Sequence, residues 1–288
     1  MSNWPRRDGL SDPTPQKLGA IETLGFTLPI EFHLQKTLFK DFVFGPLAGR
    51  LRRELSNTTN PYRSSIVALR HAIAKLGPID KPGEQFIRNI PAPSAEYIHR
   101  VRTAHEIDGP KKILVQSITC GDENMGMMEG CGAKIKVKTN LADVQMVEGT
   151  AQILYTSEGL PYQELTFVDP ETQKQIMIKY RVPTLGDQES LWEKMRAKKG
   201  EDPGDFLQHQ TSHLMYDYDG RGRGLTFEEL DALPIKTYDA MMKAASNRYP
   251  PHVDTDITVR CGNCAREHEL PLAVGEWMRP FEKAASET

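Results

Sequence analysis

The sequence predicts an α+β protein built from two repeated helix-plus-β-hairpin units, with further short strands and helices and an extended N-terminal arm. Three observations lead there. Both cysteine pairs lie in strand–knuckle–strand contexts: Gln116-Ser117-Ile118-Thr119-Cys120 with Cys131-Gly132-Ala133-Lys134-Ile135-Lys136-Val137, and Thr258-Val259-Arg260-Cys261-Gly262-Asn263-Cys264 with Ala265-Arg266-Glu267-His268-Glu269-Leu270. Landmarks recur at a fixed offset: Tyr97 and Tyr238, Pro110 and Pro251, and Cys120 and Cys261 are each 141 positions apart. Elsewhere, stretches of alternating apolar residues are interleaved with stretches at helical spacing, the two periods that separate strand from helix.

Taken in order, residues 1–24 are rich in proline and charge and read as an arm with little structure of its own. Gly25 to Phe44 carries Phe26, Leu28, Ile30, Leu38, Phe42 and Phe44 in alternating stretches, as strands do. Pro46 to Leu55 has the spacing of a short helix, and Ser64 to Leu76 places Ile66, Leu69, Ile73 and Leu76 on one stripe that Gly77-Pro78 stops. Ser94 is read as the N-cap of a helix over 95–105, ahead of the first knuckle hairpin. Short strands are expected near Ala151–Tyr155, Glu164–Val168 and Gln175–Val182. Helices follow over Asp187–Lys198 and Phe206–Met215, separated by a charged loop. Thr226-Phe227-Glu228-Glu229 is a capping box that opens a short helix closed by Pro234. A helix over Thr237–Tyr249 is broken by Pro250-Pro251, and the second hairpin comes next. The repeat divides the chain into the arm (1–24), a first α+β unit (25–146) carrying Cys120 and Cys131, and a second (147–288) carrying Cys261 and Cys264.

The bulk numbers narrow the partners. A net charge of −3 gives no general pull toward nucleic acid or anionic membrane. No apolar run approaches the ~20 residues of a membrane helix. Met1-Ser2-Asn3-Trp4-Pro5-Arg6-Arg7-Asp8 lacks the apolar region of a signal peptide, so synthesis in the cytoplasm is expected. In that compartment clustered cysteines are metal ligands more often than disulfides.

All four cysteines fall in the two knuckles, which suits a closed structural zinc site of Cys120, Cys131, Cys261 and Cys264. Four thiolates leave no open position for a catalytic water. Disulfides or free thiols are the alternative, with Cys120–Cys131 and Cys261–Cys264 as the pairs. The knuckles differ in that ten residues separate the first pair and two the second. His268 is expected at the surface rather than as a ligand.

Asp217-Tyr218-Asp219-Gly220-Arg221-Gly222 begins like a calcium loop, but Arg221 and Gly224 occupy places where a ligand and an aliphatic residue belong. A turn feeding the capping box explains the same residues. His209 and His213 have ligand spacing on a helix without an acidic partner at the right distance in sequence, and are expected on a solvated face. No Ser/His/Asp arrangement, phosphate-cradling glycine loop or paired-carboxylate signature stands out, and a non-enzymatic role is expected.

The run Leu225-Thr226-Phe227-Glu228-Glu229-Leu230-Asp231-Ala232-Leu233-Pro234, the helix after it, Pro250-Pro251, the strand–CxxC–strand unit and an aromatic at Phe281 form one series. With Val182-Pro183-Thr184-Leu185-Gly186-Asp187 and the strand–cysteine–strand unit from Ile113 to Leu141, it resembles the T-even-phage baseplate protein family over residues 25–281. The resemblance implies a non-enzymatic part of the baseplate hub, or of its assembly, in a contractile-tailed bacteriophage. It implies a virion protein made in the host cytoplasm and located in the tail baseplate. Its partners would be other tail and baseplate proteins, with no small-molecule substrate and no membrane. The four cysteines would staple the two hairpins, while arm and loops contact neighbouring subunits. A zinc-ribbon nucleic-acid adaptor is the alternative, favoured by Lys134, Lys136 and Lys138 and disfavoured by Glu267, Glu269 and the acidic balance. A tail assembly chaperone absent from the mature particle, and an oxidoreductase using Cys261 and Cys264, are further readings.

Overall fold

A computed structural model describes residues 25–45, 50–104, 113–121, 130–140, 146–197, 203–254 and 256–271. The expected arm, the loop between Cys120 and Cys131 from 122 to 129, and Phe281 lie outside the described residues.

The fold is α+β, as expected, with its strands in several small antiparallel sheets. β1 (Gly25–Leu34) and β2 (Thr37–Phe44) form a hairpin closed by Gln35 and Lys36. Both turn residues have positive φ, 51° and 65°, the pairing that matches strand twist in a two-residue hairpin loop. Alternation sends Leu28, Ile30 and Phe32 inward from β1, and Phe42 and Phe44 inward from β2; Phe39, beyond the register shift in the hairpin, is buried as well. The rings of Phe32 and Phe39 stack at 5.0 Å, and those of Phe42 and Phe44 meet edge-to-face at 5.2 Å.

α1 (Arg50–Ser56) and α2 (Pro61–Ala72) follow. Asn60 caps α2 by accepting from the amides of Tyr62 and Arg63 at 3.0 and 3.2 Å, and Pro61 takes the first turn, where a missing N–H costs nothing. The expected helix over Ser64–Leu76 is therefore shifted. It starts earlier and stops at Ala72, and the chain passes straight into β3 (Ile73–Leu76), then β4 (Ile79–Asp80). Ile73 and Leu76 sit three apart, which fits a helical stripe as well as a strand. The free edge of β2 decides the matter, because Phe42 pairs with Leu76 and Val43 with Lys75.

α3 (Glu84–Arg88) and α4 (Ala92–Ala104) complete this part. Ser94 lies inside α4 and is not its cap. Its buried hydroxyl donates to the Ile30 carbonyl at 2.8 Å and accepts from the Ile30 amide at 3.1 Å, so it satisfies both backbone groups on the open edge of β1. Ion pairs knit the helices: Glu189, buried, meets Arg88 at 2.6 Å and Arg63 at 3.6 Å, and Arg63 also pairs with Glu84.

After the first knuckle hairpin, β5 (Ile113–Thr119) and β6 (Lys134–Asn140), come β7 (Met146–Val147), β8 (Leu154–Tyr155), β9 (Pro161–Val168) and β10 (Gln175–Arg181). Then come α5 (Leu185–Ala197), α6 (Pro203–Leu214) and β11 (Met215–Tyr218), giving a second sheet in the order β11-β10-β9-β8. α7 (Phe227–Asp231) opens on the expected capping box: Thr226 Oγ1 accepts from the Glu229 amide, and Glu229 accepts from the Thr226 amide. α8 (Ile235–Ser246) packs Met241 against Leu165, Phe167, Ile178 and Tyr180 to make a second core. The calcium-like segment is a turn, with Asp217 Oδ1 accepting from the Gly222 amide at 2.9 Å. The histidines of α6 are not on a solvated face. His209 stacks on Phe227 at 4.3 Å, and His213 Nε2 lies 2.8 Å from Asp187 on α5, a partner 26 positions away and invisible to helical spacing.

β12 (His252–Val253), β13 (Asp256–Arg260) and β14 (Glu267–Pro271) end the described chain. β12 pairs with β7, and the expected division at 146/147 falls inside β7. Among the described residues no helix is long and apolar enough to cross a membrane.

Where α4 meets β12, Glu96 accepts a hydrogen bond from the Val253 amide. Burial nevertheless lifts its carboxyl from 4.5 to about 7. A folded-state value above the unfolded one means stability that is full below about pH 4.5 and lost as pH rises through 7. Glu96→Gln is expected to leave unfolding unchanged at pH 4 and to stabilise the chain by about 2 kcal/mol at pH 8. Urea titrations at the two pH values check this, and an equal effect at both would sink it.

Candidate metal centre

Each knuckle begins from an antiparallel hairpin. β5 pairs with β6 from Ile113↔Asn140 to Thr119↔Lys134, and β13 pairs with β14 from Asp256↔Pro271 to Arg260↔Glu267. Ile118 and Val137 are buried between the hairpins, with Ile135, Ile257 and Val259 packed against them. Each hairpin follows a helix in the chain, α4 before the first and α8 before the second.

The two knuckles match atom for atom. The Cys120 amide donates to Ala133 O at 2.8 Å, and the Cys261 amide donates to Arg266 O at 2.8 Å. The Gly132 amide donates to Cys120 O at 3.0 Å, and the Ala265 amide to Cys261 O at 2.9 Å. The residue after the second cysteine is left-handed in both, Gly132 with φ 72° and Ala265 with φ 59°. Cys120 and Cys261 are buried while Cys131 and Cys264 are exposed. The eight additional residues of the first knuckle therefore leave its ligand-bearing end unchanged.

This repetition brings all four sequence-predicted residues together. The four sulfurs lie within 4.8 Å of one another. Across the hairpins, Cys120 lies 3.7 Å from Cys264 and Cys131 lies 3.7 Å from Cys261. A disulfide needs about 2.05 Å, and all four cysteines are free. Tetrahedral coordination at a metal–sulfur distance of about 2.3 Å separates ligand sulfurs by about 3.8 Å, which the cross-hairpin pairs already meet.

Several donors are aimed at the sulfurs. The Cys131 amide points at Cys120 Sγ (3.4 Å), and Asn263 Nδ2 points across the interface at Cys131 Sγ (3.3 Å). Asn263 and the Ala133 amide pull the Cys131 thiol down to about 6, and the amides of Cys264 and Asn263 lower Cys261. At Cys120 the Cys131 amide acts in the same direction, but desolvation, together with the neighbouring thiols of Cys264, Cys261 and Cys131, outweighs it and pushes the value up to about 12. Four thiolates this close repel one another, so they share protons unless a cation compensates them. The arrangement suits a divalent metal.

His268 is a correction to the sequence reading. It is buried at 7% exposure, with Nε2 3.2 Å from Cys120 Sγ. The signal was present: Glu267 and Glu269 are exposed on the outer face of β14, so the residue between them must point inward. Asn263 was also missed, and no sequence signal distinguishes it from an ordinary turn residue. Comparisons with protein-family models, with curated proteins and with solved structures found no match.

Proposed function

We propose that the chain is a non-enzymatic structural or assembly component of a contractile phage tail baseplate, in the hub region, acting through protein–protein contacts. Zinc bound by Cys120, Cys131, Cys261 and Cys264 would staple its two hairpins. The observation that supports a structural rather than catalytic metal is the convergence of four thiol groups, two from each hairpin, on one point. Such a set fills a tetrahedral ion, leaves no site for water or substrate, and suits zinc or iron among the common metals. Metal analysis of the purified chain decides between them. The tail setting follows from the resemblance carried by Leu225 to Pro234, the second knuckle, and Val182 to Asp187.

Quantitative mass spectrometry of purified particles from the source tests this. A small fixed copy number, on the order of three or six as closed symmetry favours, supports a baseplate subunit. Absence from particles with abundance in infected cells supports an assembly chaperone, and absence from both removes the phage reading. One observation favours the nucleic-acid adaptor as a second reading: Lys134, Lys136 and Lys138 are all exposed on β6. Salt-dependent DNA binding near 150 mM ionic strength would promote that reading.

A further inference from the structure

The two halves of the metal centre are not chemically equivalent, although their backbones are. In each knuckle the fourth residue after the second cysteine points inward from the returning strand. In the first it is Ile135, packed in the small apolar cluster between the hairpins. In the second it is His268, whose Nε2 lies 3.2 Å from Cys120 Sγ on the opposite hairpin. The four sulfurs alone make up the mutually close ligand set, and the imidazole sits beside one of them.

Four thiolates around a divalent ion carry a net charge of −2, and half of the sulfurs here are buried. A buried charge of that size is stabilised by donors to the sulfurs. A thiolate has no hydrogen to give, so at this contact Nε2 must carry the proton and donate it. We propose that His268 is a positioning residue of the metal centre: its imidazole donates Nε2–H to the Cys120 thiolate, fixing that sulfur and offsetting its charge without entering the coordination sphere. The reading rests on the four-cysteine metal site proposed above. It makes Cys120 the corner held by an imidazole from the other hairpin, as Asn263 reaches Cys131, and gives the Ile135 position the role of an apolar counterpart to His268.

Cobalt(II) titration of the full chain, followed by its thiolate charge-transfer and tetrahedral d–d bands, tests this with chelator competition for affinity. The unaltered chain is expected to bind one ion with a four-thiolate spectrum. His268→Leu is expected to keep that spectrum and lose affinity by on the order of 10–100-fold. His268→Gln, whose amide can still donate, is expected to recover most of it. Ile135→Leu, the symmetry-related control, is expected to bind like the unaltered chain. A Leu variant as tight as the unaltered chain overturns the proposal, as does a Leu spectrum showing a lost nitrogen ligand. If the Leu variant does not fold, the Gln variant decides alone: affinity near that of the unaltered chain supports donation, and a tenfold loss overturns it. Absence of a four-thiolate spectrum in the unaltered chain removes the metal site itself, a separate outcome.

Discussion

Cys261→Ser is expected to release both hairpins, not only the one that carries it. A two-stranded hairpin is marginal by itself in water, and among the described residues the apolar cluster between these two has Ile118 and Val137 as its buried members. On the proposed metal site, ion binding would be the main term holding them: structural zinc contributes about 10–16 kcal/mol of apparent binding free energy in small domains. Serine replaces one thiolate by a weak ligand and opens the site. Hydrogen exchange should speed up by at least about 100-fold in β5, β6, β13 and β14, about 3 kcal/mol of lost protection. The cores around Phe42 and around Met241 should keep theirs. Unchanged thermal unfolding and exchange in this variant would rule out a bridging structural metal.

A change that leaves every cysteine in place should act nearly as strongly. Gly130 precedes Cys131, and a Cβ on it would lie 2.2 Å from the Cys120 carbonyl carbon and 2.2 Å from the Gly121 nitrogen. These neighbours are backbone and cannot swing aside, so Gly130→Ala must displace one strand end and with it a sulfur. Metal affinity is expected to fall by more than about tenfold, because ligand placement within a few tenths of an ångström sets it. Gly132→Ala is the contrast. Nothing lies within 4 Å of its added Cβ, so the left-handed φ of 72° is the only penalty, about 1 kcal/mol. Chelator competition on the two variants separates them, and equal affinities would show that the knuckles do not approach as described.

What the sequence made legible was local. The hairpins and the capping box at Thr226 are written in short-range spacing and are found where that spacing put them, and the four cysteines of the two knuckles cluster. What it hid was decided at a distance. Ile73 and Leu76 join a strand because the β2 edge is there to receive them. Ser94 turns from a cap into a plug for the β1 edge 64 positions away. His213 meets an acid on another helix, and each sulfur of one knuckle has a neighbour 3.7 Å away in the other. His268 lies between these cases: strand alternation turned it inward, but only the facing hairpin supplied Cys120.

The cross-hairpin pairing also bears on when the site can exist during folding. The second core, from Leu165 to Met241, lies wholly between the two cysteine pairs. In an unfolded chain, bringing Cys120 to Cys261 means closing a loop of 141 residues, an entropic cost of about 4 kcal/mol. Once β9, β10 and α8 have packed, that loop is already compact and most of the cost is gone. On the proposed metal site, high-affinity capture of the ion should thus trail assembly of the segment it encloses, so that a loaded centre would report that the core from Leu165 to Met241 has already packed.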